Sequence, residues 1–140
     1  LMKEAVQYFM KEIGPYPYST ISAVEAKMGF EGGMEYPCIT SISPVDSEQD
    51  LEGVLRHEIG HNWFQMMLGS NERKYPWLDE GINSFYDERF NKEASRYKKE
   101  YLQTSKLDLS GSLLLHSFEQ WKIDQPLSTP SHSLTEMNYG

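Results

Sequence analysis

The sequence predicts an α+β fold: helices with one small antiparallel sheet near the N-terminal end. Two observations predict it. Apolar residues recur at helical steps over residues 3–13 and again over 51–68, whereas residues 16–43 are rich in β-branched and aromatic residues broken by Gly and Pro. Each element can be justified in order. From Lys3 to Ile13, Val6, Phe9, Met10 and Ile13 keep helical spacing, and Gly14-Pro15 stops the pattern as a C-terminal glycine followed by proline does. From Tyr16 to Ser43, Gly29, Gly32-Gly33, Pro37 and Pro44 punctuate two or three strands, expected to pair antiparallel. The residues Asp46 to Asp50 offer N-caps for a helix over 51–68, along which Leu51, Val54, Leu55, Ile59, Trp63, Phe64 and Met67 recur. Gly69-Ser70-Asn71 ends that helix, Tyr75-Pro76-Trp77-Leu78 turns the chain, and a second helix is expected from about Asp79 to Lys99. Beyond Tyr101, Leu113-Leu114-Leu115, Phe118 and Trp121 mark another helix, and Pro126 to Ser133 reads as a loop.

Composition bounds the function. The chain has 140 residues, the size of one domain, with 13 Lys and Arg against 21 Asp and Glu, so its net charge of −8 repels a polyanion such as nucleic acid. A single cysteine, Cys38, forbids an internal disulfide, leaving a core or a bound ligand to hold the fold. No apolar run approaches the roughly 18 residues that span a bilayer, and Leu1-Met2-Lys3-Glu4 lacks the layout of a signal peptide. Both ends read as mid-structure, so residues 1–140 are expected to form part of a longer domain, with the rest of a parent chain as their partner. The compartment is not legible.

The chemistry concentrates in His57-Glu58-Ile59-Gly60-His61, an H-E-x-x-H pattern on the predicted helix. Four residues of separation put both imidazoles on one face, about 5–6 Å apart at Cβ, close enough to share one zinc ion. Glu58 lies one step round the helix, poorly placed as a ligand but able to reach a water held by the metal, which makes it the natural general base. A catalytic zinc takes three protein ligands, and the pattern that would place a third histidine requires Gly at 64 and His at 67, where Phe64 and Met67 stand. Glu80, separated from His61 by 18 residues and at the start of the following helix, can fold back beside the imidazoles in a helical hairpin. His57, His61 and Glu80 are therefore the expected ligands.

With these residues in place the sequence resembles the M1 family of gluzincin metallo-aminopeptidases, whose signature is H-E-x-x-H followed after 18 residues by Glu. His61-Asn62-Trp63-Phe64 and Trp77-Leu78-Asp79-Glu80-Gly81 are similar to the family's flanking stretches, with Asp79 in place of the more usual asparagine. The resemblance implies a thermolysin-like zincin core, one Zn2+, and hydrolysis of the first bond of peptides with a free N-terminus. It also points to Gly32-Gly33-Met34-Glu35, similar to the family's Gly-x-Met-Glu-Asn strand, which grips the substrate's α-amine; Tyr36 stands where asparagine is common. Physically, a glycine-bearing strand lets a peptide backbone pair along it, and the Glu35 carboxylate can receive an ammonium group. The family's oxyanion-stabilising tyrosine is expected just beyond Gly140, with Tyr139 a weak substitute.

Metal-bound imidazoles usually donate their other N–H to a carboxylate or carbonyl. Asp87, seven residues after Glu80 on the same helical face, is the expected partner, a solvated helix carboxylate being the plain alternative. Cys38, His116 and His132 read as structural. Tyr16 and Tyr18 either border the cleft or pack at the helix-to-sheet turn. Two other readings use the same four zinc-site residues: a zinc endopeptidase of another gluzincin group, which would have no α-amine site, and a non-catalytic zinc-binding or scaffold domain.

Overall fold

The structure, a computed structural model, describes residues 1–105, 110–135 and 138. Tyr139 and the side chains of Leu113-Leu114-Leu115 lie outside the described residues. Helix α1 (Met2–Glu12) leads into strands β1 (Ser22–Glu25), β2 (Gly33–Tyr36) and β3 (Ile39–Ile42), then helices α2 (Glu48–Gly60), α3 (Glu80–Glu93), α4 (Lys98–Ser105) and α5 (Ser110–Trp121). This is an α+β arrangement with a small sheet, as the sequence predicts.

The sheet is mixed rather than wholly antiparallel. Its order is β1-β3-β2: β2 pairs antiparallel with β3 across the turn at Pro37-Cys38, while β1 runs parallel to β3 with Ser22 opposite Ile39. Strand propensity marks which residues extend but not which strand they join, and here β2 is displaced to the edge by its own hairpin partner. Cys38 takes a left-handed φ of 69°, the conformation a tight turn demands at that position and more often fills with glycine. Its backbone N–H donates to the Asn62 side chain at 3.3 Å, which ties the turn to the end of α2.

Packing seats α1 beneath α2. Phe9, fully buried, stacks on Trp63 with ring centres 5.3 Å apart, and Ile59, Phe64, Tyr8 and Phe90 complete the core. Trp63 donates its indole N–H to the Gly14 carbonyl at 3.0 Å, and Tyr16 donates to Asn62 and stacks at a tilt on Trp63. Tyr16 is thus a packing residue of the helix-to-sheet turn. Gly60 has no room for a side chain: a Cβ there would lie 2.0 Å from Asn83 Oδ1 and 2.8 Å from Phe9. The glycine inside the H-E-x-x-H pattern is what lets α2, α1 and α3 approach this closely.

Two helices differ from their expected lengths. Ser47 caps α2 by accepting the Asp50 N–H at 3.1 Å, but the regular helix stops at Gly60. The chain continues in a wider turn and breaks at Phe64 (φ −88°, ψ 126°) and Gln65 (φ 85°, ψ −66°). The expected helix over 79–99 is two helices, α3 and α4. Glu52, buried on α2, accepts the Ser95 hydroxyl and the Arg96 N–H at 3.3 Å and so holds the chain open between them. Among the described residues, no helix is long and apolar enough to cross a membrane.

Candidate metal centre

Helix α2 carries His57, and His61 caps its C-terminal end, both beside α3, whose first residue is Glu80. Pro76, Trp77 and Leu78 form one tight helical turn that brings Glu80 back beside the imidazoles, and Asn83, fully buried, locks the two helices by donating to the His57 carbonyl at 2.8 Å. The His57 and His61 Nε2 atoms lie 3.2 Å apart, and Glu80 Oε2 lies 3.2 Å from the first and 3.8 Å from the second. One ligand atom from each of the three residues falls within 4.8 Å of the others.

The opposite ring nitrogens explain why these atoms face one another. His57 Nδ1 donates to Asp87 Oδ2 at 2.7 Å. His61 Nδ1 lies 2.7 Å from Asp79 Oδ1, an ion-pair distance at an angle too bent for a hydrogen bond, with both side chains almost fully buried. Asp87 accepts only, so it fixes an N–H at His57 Nδ1 and leaves a lone pair at Nε2, and the negative charge of Asp79 beside His61 Nδ1 favours the same tautomer there. Two lone pairs and a carboxylate oxygen converging on one point repel unless a cation stands among them. That donor set, nitrogen twice and oxygen once, fits a borderline-soft divalent metal. Asp87 is where the spacing places it. Asp79, noted in the sequence only as a departure from asparagine, proves to be the corresponding partner of His61.

Without a metal, protons take its place. Burial lowers the His57 pKa, but its bonds to Asp87 and Glu80 outweigh that and push it up to about 10. His61 is likewise raised, its burial outweighed by Asp79, and the bond from His57 holds Glu80 below the usual carboxylate range. Glu58 behaves differently. It is 4% exposed, its Oε2 has no hydrogen-bond partner, and burial pushes its pKa up to about 7 despite the two imidazoles. A carboxyl poised near neutrality beside a metal cradle can accept and return a proton.

The cleft over these residues has a volume of about 620 Å³ and is lined by Gly33, Met34, Glu35, His57, Glu58 and Glu80, among others. Strand β2 forms one wall, and it is the sheet edge. A Cβ on Gly33 would lie 2.5 Å from Glu58 Cγ, Cδ and Oε1, so the strand presses directly on the carboxyl and only glycine fits. Glu35, half-buried, sits close enough to Glu58 and His61 for one ligand atom of each to fall within 4.8 Å of the others, and burial raises its pKa. Gly32, at φ 103°, turns the chain into the strand and accepts the Ser43 N–H at 2.9 Å.

Fold and site together bring two histidines and a glutamate beside a second, buried glutamate in one cleft. The chain is 31% identical over 84 residues to aminopeptidase B of Rattus norvegicus, a match covering 58% of this chain and 13% of that protein. It is 27% identical over 104 residues to leukotriene A-4 hydrolase of Xenopus laevis (72% of this chain, 17% of that protein) and 25% identical over 91 residues to leucine aminopeptidase 2 of Candida albicans (63% and 15%). These relatives are all members of the M1 family, which the chain resembles at modest identity over part of its length. These matches span between 13% and 17% of the relatives' own lengths. No family model matches the chain, and no solved structure matches it.

Proposed function

We propose that residues 1–140 form the metal-binding part of a thermolysin-like peptidase core that removes N-terminal residues from peptides. His57, His61 and Glu80 would hold one zinc ion. The observation that carries this reading is the convergence of the His57 and His61 Nε2 atoms on the Glu80 carboxylate, beside a buried Glu58 that has an unpartnered oxygen. Bound zinc supplies a Lewis acid for the scissile carbonyl and a water acidified toward about pH 7. Glu58, buried in the cleft wall with an unpartnered Oε2, would take a proton from the attacking water and return it to the leaving amine. Asp87 and Asp79 keep the imidazole N–H groups turned away from the reacting side.

The substrate backbone pairs along the outer edge of β2, and Glu35 receives its α-ammonium group. Glu35 lines the cleft within reach of Glu58 and His61, so an amine captured there would lie close to the bond attacked. An α-amine site at Glu35 would make the enzyme an aminopeptidase rather than an endopeptidase. The test is hydrolysis of matched peptides with free and acetylated N-termini by the native-length protein and by Glu35→Ala. The expected result is strong preference for the free amine, lost in Glu35→Ala. Equal cleavage of both peptides by the unsubstituted protein would mean an endopeptidase, and zinc binding with no hydrolysis would mean a scaffold.

A further inference from the structure

Arg56, the residue immediately before the H-E-x-x-H pattern, is 6% exposed although it carries a full charge, and such a residue is stable inside a fold only if its donors are met. Its Nε donates to Asp87 Oδ1 at 2.7 Å and its Nη1 donates to Asn91 Oδ1 at 2.9 Å, while the guanidinium carbon stands 5.2 Å from the centre of the buried Phe90 ring. Phe90 and Asn91 lie three and four residues beyond Asp87, so a single face of α3 is built to receive this side chain. The other oxygen of Asp87 accepts from His57 Nδ1 at 2.7 Å. One carboxylate therefore bridges a fixed guanidinium and an imidazole, and cannot rotate without breaking a bond at each end.

We propose that Arg56 is a positioning residue of the metal centre, acting through Asp87 to lock the His57 ring with Nε2 facing His61 and Glu80. The inference rests on the reading that these three residues hold zinc. The fork of an arginine is needed: Lys at 56 would offer a point charge that cannot meet Asp87 and Asn91 together while lying over Phe90. The sequence shows this chain only as a basic residue on a helix. Its meaning comes from α3 crossing behind it.

Zinc affinity, measured by competition with a chromophoric chelator on the native-length protein, tests the proposal. Loss of a group that orients a ligand costs roughly 10–100-fold in metal affinity. Arg56→Met is expected to weaken zinc binding about tenfold, Arg56→Lys to fall between Arg56→Met and the unsubstituted protein, and Asp87→Ala to weaken it at least as much as Arg56→Met. Because Arg56 works through Asp87, the double variant should bind no more weakly than Asp87→Ala alone. Losses that multiply in the double variant, or Arg56→Met with unchanged affinity and a lowered melting temperature, would overturn the proposal and leave Arg56 a packing residue. If Arg56→Met does not fold, Arg56→Lys decides, and affinity equal to the unsubstituted protein overturns the proposal. Failure of the unsubstituted protein to bind zinc, or zinc binding that survives His57→Ala, would instead strike at the proposed metal site itself.

Discussion

Gly33 meets the catalytic side of the cleft with no space to spare, and Gly33→Ala measures what that contact does. The added Cβ would lie 2.5 Å from Cγ, Cδ and Oε1 of Glu58. Carbon atoms rest at about 3.5–4.0 Å, so Glu58 or the strand must give way by about 1 Å. Glu58 is 4% exposed, so its carboxyl would have to shift within the wall of the cleft. A misplacement of about 1 Å costs a reacting group on the order of 100-fold in rate, whereas the overpacking itself costs about 1–3 kcal/mol of stability. The assay is steady-state hydrolysis of a free-amine aminoacyl anilide by the native-length protein, with zinc content measured on the same samples. We expect kcat to fall about 100-fold with zinc content unchanged, since the atoms nearest the new methyl group all belong to Glu58 and not to the expected ligands. An unchanged kcat, with the variant folded and loaded, would refute the placement of Glu58 as the base held by β2.

Further predictions concern the centre and its support. The His57 pKa, about 10 in the folded metal-free chain against an ordinary 6.5, makes its proton stabilising below pH 6.5 and progressively lost as pH rises toward 10. Thermal unfolding of the metal-free protein should therefore weaken between pH 7 and 10, by up to a few kcal/mol, while the zinc-loaded protein, in which that proton has been displaced, should not follow. Over the same range zinc affinity should rise with pH by up to about tenfold per unit, and a flat profile would contradict the His57–Asp87–Glu80 geometry. Gly60→Ala should lower the melting temperature by several degrees or prevent folding, because a Cβ 2.0 Å from Asn83 Oδ1 forces α2 and α3 apart; calorimetry showing no change would contradict that packing.

Much of the centre was legible because helical geometry is periodic. His57 and His61 must share a face, Glu58 must not, and Asp87 must lie two turns along from Glu80, whatever the rest of the fold does. The strands were legible as strands, yet the parallel pairing of β1 with β3 was not, because pairing depends on which edge a hairpin leaves free. The break at Phe64 and Gln65 was hidden by side chains that keep a near-helical rhythm through Trp63, Phe64 and Met67 while the backbone reverses at Gln65. The division between α3 and α4 depends on Glu52, 43 residues before Ser95, and no local pattern announces it. Asp79 and Arg56 were opaque for a related reason. Each looks like an ordinary charged residue until the neighbouring helix supplies the atom it touches.

The most direct test of the account replaces Glu58 with glutamine. Turnover of a free-amine peptide and zinc content are measured together on Glu58→Gln and the unsubstituted protein. The account predicts one zinc per chain in both, and turnover lowered by about 10²–10⁴-fold in Glu58→Gln, because the amide cannot take the water's proton. Normal turnover with zinc bound would contradict it.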